Sequence, residues 1–563
     1  MTGKVPGGRE LFRFAVLADT HIEPERSEGP EPRSNARTRA VVRAINRRGY
    51  ALALHLGDVV HPVPAAPEHE PAVEKAKEIL SGLEPPLHLT AGNHDIGDKP
   101  IAWMPAKTVR EEWTRRFGGR YGPSWSSFAH GGCRFVLLNA PLLNSGTALE
   151  TEQKAWLEAL LVRHAGERLF LFAHYPPYLL RPDERSHYDN IDEPARSWLL
   201  GLVECHRPEA LFTAHVHNLF YDRIGNSEHY VAPSTSFVRR DYSELFRIAP
   251  EVEHEFGRND EEKLGFFEVV ISERGHKVSF RSAQDLHDSA PCPVGVELRH
   301  PWCEITELPF NPPTDALQRR KVRNDHPLWA LWQLGIDRVR TPLQDVLSPR
   351  THERMWIMHQ RGSRFTVFTY GVPTLDGLPE AVDALELVLE LDTLDQQLAS
   401  VASLRQRCDA PILLAPLSTS QATSPGMPGL PQFVGQGFAL ATLDDVRRLF
   451  ASPDVRAAFD GLCITLTLEE APGRGIAAAA DLARSLGLRV HLTLSLMPAT
   501  PDQANLDDAL ICARILETRD AALAHRDVHV FLDTFMSIDR GYYVRGGLID
   551  RRGNLTPAAR VLL

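Results

Sequence analysis

Leu54-His55-Leu56-Gly57-Asp58-Val59-Val60 is the stretch whose reading decides the fold. The apolar segment 51–56 reads as a short buried strand. Gly57 stops it, so a single carboxylate, Asp58, stands just past the strand's end. Working outward, the same arrangement recurs. The apolar run 11–18 stops at Asp19-Thr20-His21, and 87–90 leads to Gly92-Asn93-His94-Asp95. The run 169–173 meets His174, and 210–213 meets His215-Val216-His217. Five times an apolar strand ends and the next residues are Asp, Asn or His. In layered α/β proteins ligands bind where strand ends converge. Strand ends also hold side chains more rigidly than free loops do.

The intervening chain supplies helices. Ser34 is read as the cap of one whose apolar face is Ala36, Ala40, Val41, Ala44 and Ile45, closed by Gly49. A second covers 73–80. Thr151 is read as the cap of a third, carrying Trp156, Leu157, Leu160 and Leu161, and 193–204 is a fourth. Residues 134–139 form another strand. A hairpin of 266–271 and 278–281, turning at Glu273-Arg274-Gly275, closes this half.

The chain's 563 residues exceed one hydrophobic core, so two or three domains are expected. A net charge of −11 gives no basic nucleic-acid surface. An acidic protein that handles phosphates needs local positive charge, and bound metal is the obvious source. The seven cysteines are scattered and form no CxxC, as expected of reduced thiols in a cytoplasmic protein. The run 11–18 is short and contains Arg13, so neither a signal peptide nor a membrane span is read.

Collected, the strand-end residues are Asp19, His21, Asp58, Asn93, His94, His174, His215 and His217. Oxygen and imidazole without thiolate suit Mn, Fe, Zn or Ni. Both Asp19/His21 and His215/His217 are i, i+2 pairs, which share a face of an extended chain. Two metals roughly 3.5–4 Å apart clamp an in-line displacement at phosphorus and generate a bridging hydroxide as nucleophile. Each motif alone has a bland reading. A lone histidine such as His55, His88 or His229 is more often structural, and Gly92–Asp95 could be only an Asx turn. Five motifs in one order at five strand ends have no comparable bland reading.

DTH at Asp19, GD at Asp58, GNHD at Gly92–Asp95, the isolated His174 and HVH at His215–His217 resemble the calcineurin-like metallophosphoesterases over about residues 11–285. The resemblance implies an αββα sandwich and a hydrolase of phosphomonoesters or phosphodiesters using two divalent ions. It implies that Asp19, His21, Asp58 and His217 hold one metal. Asp58, Asn93, His174 and His215 would hold the other, with Asp58 bridging. It places His94 over the site as the leaving-group acid, oriented by Asp95. Ala214 departs from the family, which usually has glycine there. The motif spacing looks most like the cyclic-nucleotide phosphodiesterase and small phosphatase branches. The partner expected is a small phosphorylated substrate, with no nucleic acid and no membrane. Tyr175, Tyr188, Asn190 and Arg239 are candidates to contact it, and Arg239 or Arg240 could pair bidentately with phosphate.

Prolines 291, 293 and 301 mark a change of character. The domains are therefore read as 1–285, a linker at 286–301, and 302–563. Strand-like runs at 337–343, 365–369, 385–391, 411–415, 432–438, 462–468, 488–496 and 528–535 alternate with helical ones. That is the count of a (β/α)8 barrel, with 303–308 as a ninth candidate strand. The tail from Asp533-Thr534-Phe535 through Tyr542-Tyr543-Val544-Arg545-Gly546-Gly547 to Leu555-Thr556-Pro557 loosely resembles the closing segment of glycoside-hydrolase barrels. Glu390, Asp392 and Asp533 are the candidate acids there. The alternative function is therefore a carbohydrate-active protein whose barrel binds or cleaves a glycoside, with the phosphoesterase as an accessory activity. A third possibility is a scaffold with a structural metal site, against which the intact His94 argues.

Overall fold

The computed structural model describes residues 8–100, 108–239, 241–245, 261–283, 291–301, 303–310, 318–419, 434–497, 508–538, 544–551 and 553–563. Arg240, Tyr542 and Tyr543, singled out above, lie outside the described residues. The chain divides into two compact units. One is Pro6–His287 with Glu304–Trp329. The other is Met1–Val5, Asp288–Cys303 and Ala330–Leu563.

The first unit is a two-sheet sandwich. Its strands are β1 (Glu10–Leu17), β2 (Leu52–His55), β3 (Leu87–Leu89), β4 (Ser126–His130), β5 (Cys133–Leu138), β6 (Arg168–Ala173), β7 (Ala210–Thr213), β8 (Phe220–Ile224), β9 (Ser227–Val231), β10 (Gly265–Ser272) and β11 (Gly275–Ser282). One sheet runs β11-β10-β1-β2-β3 and the other β4-β5-β6-β7-β9-β8. Each sheet has a parallel run: β1, β2 and the edge strand β3 in one, β5, β6 and β7 in the other.

Alternation along the strands builds the layers. In β1, Phe14 faces the other sheet, while Ala15 and Leu17 pack with Val41, Ala44 and Ile45 of the helix Arg33–Asn46. In β6, Leu169, Leu171 and Ala173 pack with Leu157 and Leu161 of the helix Ala148–Arg163 and Leu199 of Ala195–His206. Phe170 and Phe172 face inward. The sheets meet through phenylalanine: Phe14 lies 5.2 Å from Phe135, and Phe172 stacks on Phe212 at 5.2 Å between centroids.

Both helix starts differ from the sequence reading. Pro32 precedes the first helix, so Ser34 falls inside it and its carbonyl accepts from the Thr38 hydroxyl at 2.8 Å. Thr147, not Thr151, caps the helix Ala148–Arg163, its hydroxyl accepting from the Glu150 N–H.

After β12 (Gly295–Glu297) the chain makes an excursion. β13 (Ile305–Glu307) and β14 (Lys321–Arg323) form an antiparallel pair. Leu308 and Val322 join the core of the first unit beside Val216, Phe220 and Val238, and Trp329 stacks on Phe267 at 5.0 Å. Thus the candidate strand at 303–308 belongs with the sandwich, because its apolar side chains are buried there.

The second unit is a closed parallel barrel of eight strands. These are β12, β15 (Arg338–Pro342), β16 (Arg364–Tyr370), β17 (Val382–Leu389), β18 (Ile412–Thr419), β20 (Gly461–Leu466), β21 (Arg489–Ser495) and β22 (Val528–Asp533). Pairing of β17 with β18 and of β12 with β22 closes the ring. The expected count is right and its membership is off by one. The run 432–438 contains β19 (Val434–Gln436), which pairs antiparallel with the end of β18. The first barrel strand is β12, inside the stretch read as a linker. Its three residues, Gly-Val-Glu, carry too little apolar signal to be seen.

One buried titratable group of the sandwich makes a stability prediction. His276 Nδ1 lies 3.1 Å from Glu209 Oε2, and its Nε2 lies 3.0 Å from Glu228 Oε2. Burial opposes its charging, but the two carboxylates overcome this and raise its pKa. A raised folded-state value gives stability that is complete below about pH 6.5, the unfolded value, and is lost as pH rises through the folded value. The melting temperature should therefore fall by a few degrees from about pH 6.5 upward. In His276→Gln this part of the slope should be absent. Thermal denaturation of both proteins across that range checks it, and parallel curves would refute it.

Candidate metal centre

All five expected strand ends deliver their residues to one place, above the parallel runs of the two sheets. The loop after β1 carries Asp19 and His21. Asp58 follows β2, Asn93 follows β3, His174 follows β6, and His215 and His217 follow β7. Backbone hydrogen bonds knit these loops together: Asp19 N to Gly57 O at 3.1 Å, His21 N to Asp58 O at 3.1 Å, and Ala214 N to His174 O at 2.8 Å.

The local backbone is strained where the ligating types sit. Asp19, His21, Asp58, His215 and His217 have φ of 50°, 42°, 54°, 72° and 53°. Among the other described non-glycine residues only Asn144 and Arg207 enter this left-handed region. Such strain persists where surrounding structure enforces it, and it concentrates at functional sites.

The side chains form two Asp/His groups: Asp19, His21 and His217, and Asp58, His174 and His215. Asp58 Oδ2 joins them, lying 3.6 Å from His21 Nε2 and 3.4 Å from His174 Nε2. His21 Nε2 is 3.0 Å from His217 Nε2, and His174 Nε2 is 3.2 Å from His215 Nδ1. Asn93 Oδ1 is 3.0 Å from His174 Nε2. The far ring nitrogens are anchored by carbonyls, His174 Nδ1 on Leu56 O at 2.9 Å and His217 Nδ1 on Phe237 O at 2.8 Å. Such anchoring turns the other nitrogen's lone pair into the site.

Electrostatics agree with a cation-binding set. Burial, with help from neighbouring histidines, pushes His21 and His215 well below the ordinary imidazole range. His217 falls to about 3, through burial and then Arg239. These rings are neutral donors. Burial works against ionising Asp58, yet His174 and His94 hold it well below the usual carboxylate range. Asp19 is raised by burial, and among the described residues its Oδ1 has no hydrogen-bond partner. A buried carboxylate oxygen and paired imidazole nitrogens facing one another at 3.0–3.2 Å fit divalent cations held between them.

Residues 12–219 match the model of the calcineurin-like phosphoesterase family. This segment is a calcineurin-like phosphoesterase domain. The serine/threonine-protein phosphatase CPPED1 of Danio rerio is 30% identical over 169 residues, 29% of this chain and 52% of that protein. A probable cyclic nucleotide phosphodiesterase of Rhodopseudomonas palustris is 28% identical over 215 residues, covering 37% of this chain and 72% of that one. The purple acid phosphatase PPD1 from yellow lupin superposes with a TM-score of 0.33 at 16% identity, over 51% of this chain and 53% of that structure. The chain spans about half the length of the CPPED1 relatives it matches.

The calcineurin-like domain departs from expectation around His94. Asp95 does not touch that ring. Its carboxylate accepts from Asp58 N at 2.9 Å, Val59 N at 3.0 Å and Gly92 N at 2.8 Å, so it clamps two site loops together. Burial and the charge of Asp58 raise its pKa to about 7. His94 Nδ1 instead meets the carbonyl of His61. His61 itself groups with His21 and His94 and escaped the sequence reading, although it lies only three residues past Asp58.

Of the four substrate candidates, two face the site. Tyr188 has its ring 4.9 Å from that of His215, and its hydroxyl accepts from Asn93 Nδ2 at 3.3 Å. The Arg239 guanidinium lies 5.5 Å over Tyr188. Tyr175 is buried and donates to Asp98 Oδ1 at 2.6 Å, its ring packed 4.4 Å from His215. Asn190 points away: its amide donates to Glu184 and to Arg185 O, which orders the loop. His55, His88 and His229 are structural. His55 meets the Thr20 hydroxyl at 3.0 Å, His88 stacks on Phe128, and His229 meets the Thr213 hydroxyl.

The excursion contributes one residue that spacing could not show. Arg320 pairs with Asp189 and Asp241, the same two carboxylates that hold Arg239. Asp189 is fully buried, and its Oδ1 lies 3.6 Å from His215 Nε2. Arg320 thus fixes the carboxylate that faces both His215 and Arg239. Arg320→Gln is expected to lower turnover of a phosphate ester about 10- to 100-fold, the usual cost of losing such an outer support. Steady-state kinetics with metal analysis checks this, and wild-type values would confine Arg320 to packing.

Proposed function

We propose that this protein hydrolyses a small phosphomonoester or phosphodiester with two divalent ions of the Mn, Fe, Zn or Ni type. Asp19, His21, Asp58 and His217 hold one ion. Asp58, Asn93, His174 and His215 hold the other. The observation that carries the reading is the position of Asp58 Oδ2 between His21 and His174, one oxygen common to both groups. When bound, the pair supplies Lewis acidity toward the phosphoryl oxygens and an activated water.

The chain's own residues do the rest. His174 and His217 are held in one ring orientation by their carbonyl partners. The His61 carbonyl does the same for His94, leaving Nε2 as the nitrogen that passes a proton to the departing oxygen. Arg239 and Tyr188 border the site and serve as the phosphate and leaving-group contacts. His94→Ala should lower turnover roughly 100-fold with metal content unchanged. Wild-type turnover in that variant would remove its acid role.

The two relatives carry names of different branches, a protein phosphatase and a cyclic nucleotide phosphodiesterase. A cyclic-nucleotide diester is the more specific candidate substrate. No described helix is long and apolar enough to cross a membrane, and all seven cysteines are free. We place the protein in the cytoplasm. The test is hydrolysis of bis(p-nitrophenyl) phosphate and p-nitrophenyl phosphate by metal-stripped protein with each metal restored. Activity returning with metal supports the reading, and the ratio of rates distinguishes diesterase from monoesterase. No turnover with any metal, and fewer than two ions bound, would overturn it.

A further inference from the structure

The barrel interior carries a charged cluster that phosphate ester hydrolysis does not use. Arg340 of β15 donates through Nε to Glu386 of β17 at 2.8 Å and also pairs with Glu297 of β12. His491 of β21 lies 2.8 Å from the other oxygen of Glu386. In the barrel β17 and β21 are separated by β18 and β20, so this contact crosses the lumen. All four side chains are buried.

Above them sits a second tier. Glu297 and Asp533 are the last residues of β12 and β22, which are neighbours. Arg299 Nη2 lies 2.8 Å from Asp533 Oδ2 and 3.1 Å from Glu297 Oε1. Arg545 pairs with Asp533, and it donates to Ser495 Oγ at the end of β21 at 3.2 Å. The Arg299 and Arg545 side chains are 33% and 17% exposed, so this tier opens to solvent. It does so at the carboxyl ends of the strands, where barrels bind ligands. The expected acids Glu390 and Asp392 are exposed instead on the turn after β17, while Tyr370, the last residue of β16, stands 55% exposed at the same end of the barrel.

Two facts argue that this tier is more than filling. Barrel lumens are usually packed with branched apolar side chains, and a buried ion network is no more stabilising than such packing. Glu297 is 1% exposed, yet among the described residues its Oε1 has the ion pair with Arg299 and no hydrogen bond of good geometry. The tier's charge defines the ligand. Two carboxylates and two guanidiniums cancel, so an anion would face Glu297 and Asp533, and a cation would face Arg299 and Arg545. Neighbouring hydroxyls on one neutral molecule can donate to Asp533 and accept from the arginines together.

We propose that the barrel mouth binds a neutral carbohydrate, its hydroxyls meeting Asp533, Arg299 and Arg545 above the buried Glu297 and its apolar ring face lying on Tyr370. Both acids are engaged by Arg299, so the site is a binding site rather than a cleaving one.

The test uses the full chain and saturation-transfer NMR with neutral gluco-, galacto- and manno-configured trisaccharides at about 10 mM. At least one should bind saturably. Its affinity should fall about tenfold or more in Arg545→Gln and in Tyr370→Ala. Tyr370 is exposed, so its variant keeps the fold, which circular dichroism verifies. Binding of none of the sugars, or binding that both variants leave intact, would overturn the proposal. So would stronger binding of inorganic phosphate or of the zwitterion glycine betaine than of every sugar.

Discussion

Asp58→Ala is expected to lower hydrolysis of bis(p-nitrophenyl) phosphate about a thousandfold or more and to reduce bound metal below two ions per chain. The magnitude follows from what this one carboxylate does. Oδ2 lies between His21 and His174, so neither Asp/His group is complete without it. Oδ1 accepts the backbone N–H of His94 at 2.8 Å, which sets the position of the proposed proton donor. Alanine removes all three functions. Asp58→Asn separates them: its amide oxygen can still accept from His94 N, but the charge is gone. Both variants should be inactive, and only the alanine should also disturb the His94 loop. The core between the sheets, built on Phe14, Phe135, Phe172 and Phe212, does not involve Asp58, so folding should survive. An Asp58→Ala protein with two ions bound and activity within about tenfold of wild type would contradict the shared-ligand geometry.

What the sequence revealed and what it hid divide on physical lines. The five strand ends were legible because a buried parallel strand is a continuous apolar run, and a polar ligand ends it abruptly. The metal-ligating types at Asp19, His21, Asp58, Asn93, His174, His215 and His217 could be read from that break alone. The role of Asp95 could not. It neighbours His94 in sequence, but the three backbone N–H groups it accepts from depend on how the loops at 58 and 92 pack. Arg320 reaches Asp189 from 131 positions away, and nothing local marks it. In the barrel, β12 was invisible because its third residue, Glu297, points a charge inward where the pattern expects an apolar side chain. The polar lumen that hid this strand is also the basis for proposing a ligand there.

Gly92→Ala is the second large effect expected, and it probes the same geometry from the opposite loop. A Cβ on Gly92 would fall 2.2 Å from Asp58 Oδ1 and 2.3 Å from Asp58 N. Its φ of −101° is ordinary, so the cost is collision rather than conformation. Gly57 repeats the constraint, since a Cβ there would meet Gly92 N at 2.4 Å. The two loops lie back to back, tied by the Asp95 carboxylate, and the atoms struck are backbone and a proposed metal ligand with no room to yield. Alanine must therefore push the loops apart and carry Asp58 and Asn93 out of register with His174 and His215. Displacements of about 1 Å cost roughly 100-fold in rate, and activity should fall by at least that much, with weaker metal retention. Gly119→Ala is the matched control, because a Cβ there meets nothing within 4 Å and the residue lies in the helix Glu111–Tyr121. It should leave kinetics unchanged. If Gly92→Ala hydrolyses the ester at the wild-type rate, the close approach of the two loops does not position Asp58, and the bridging role would need another support.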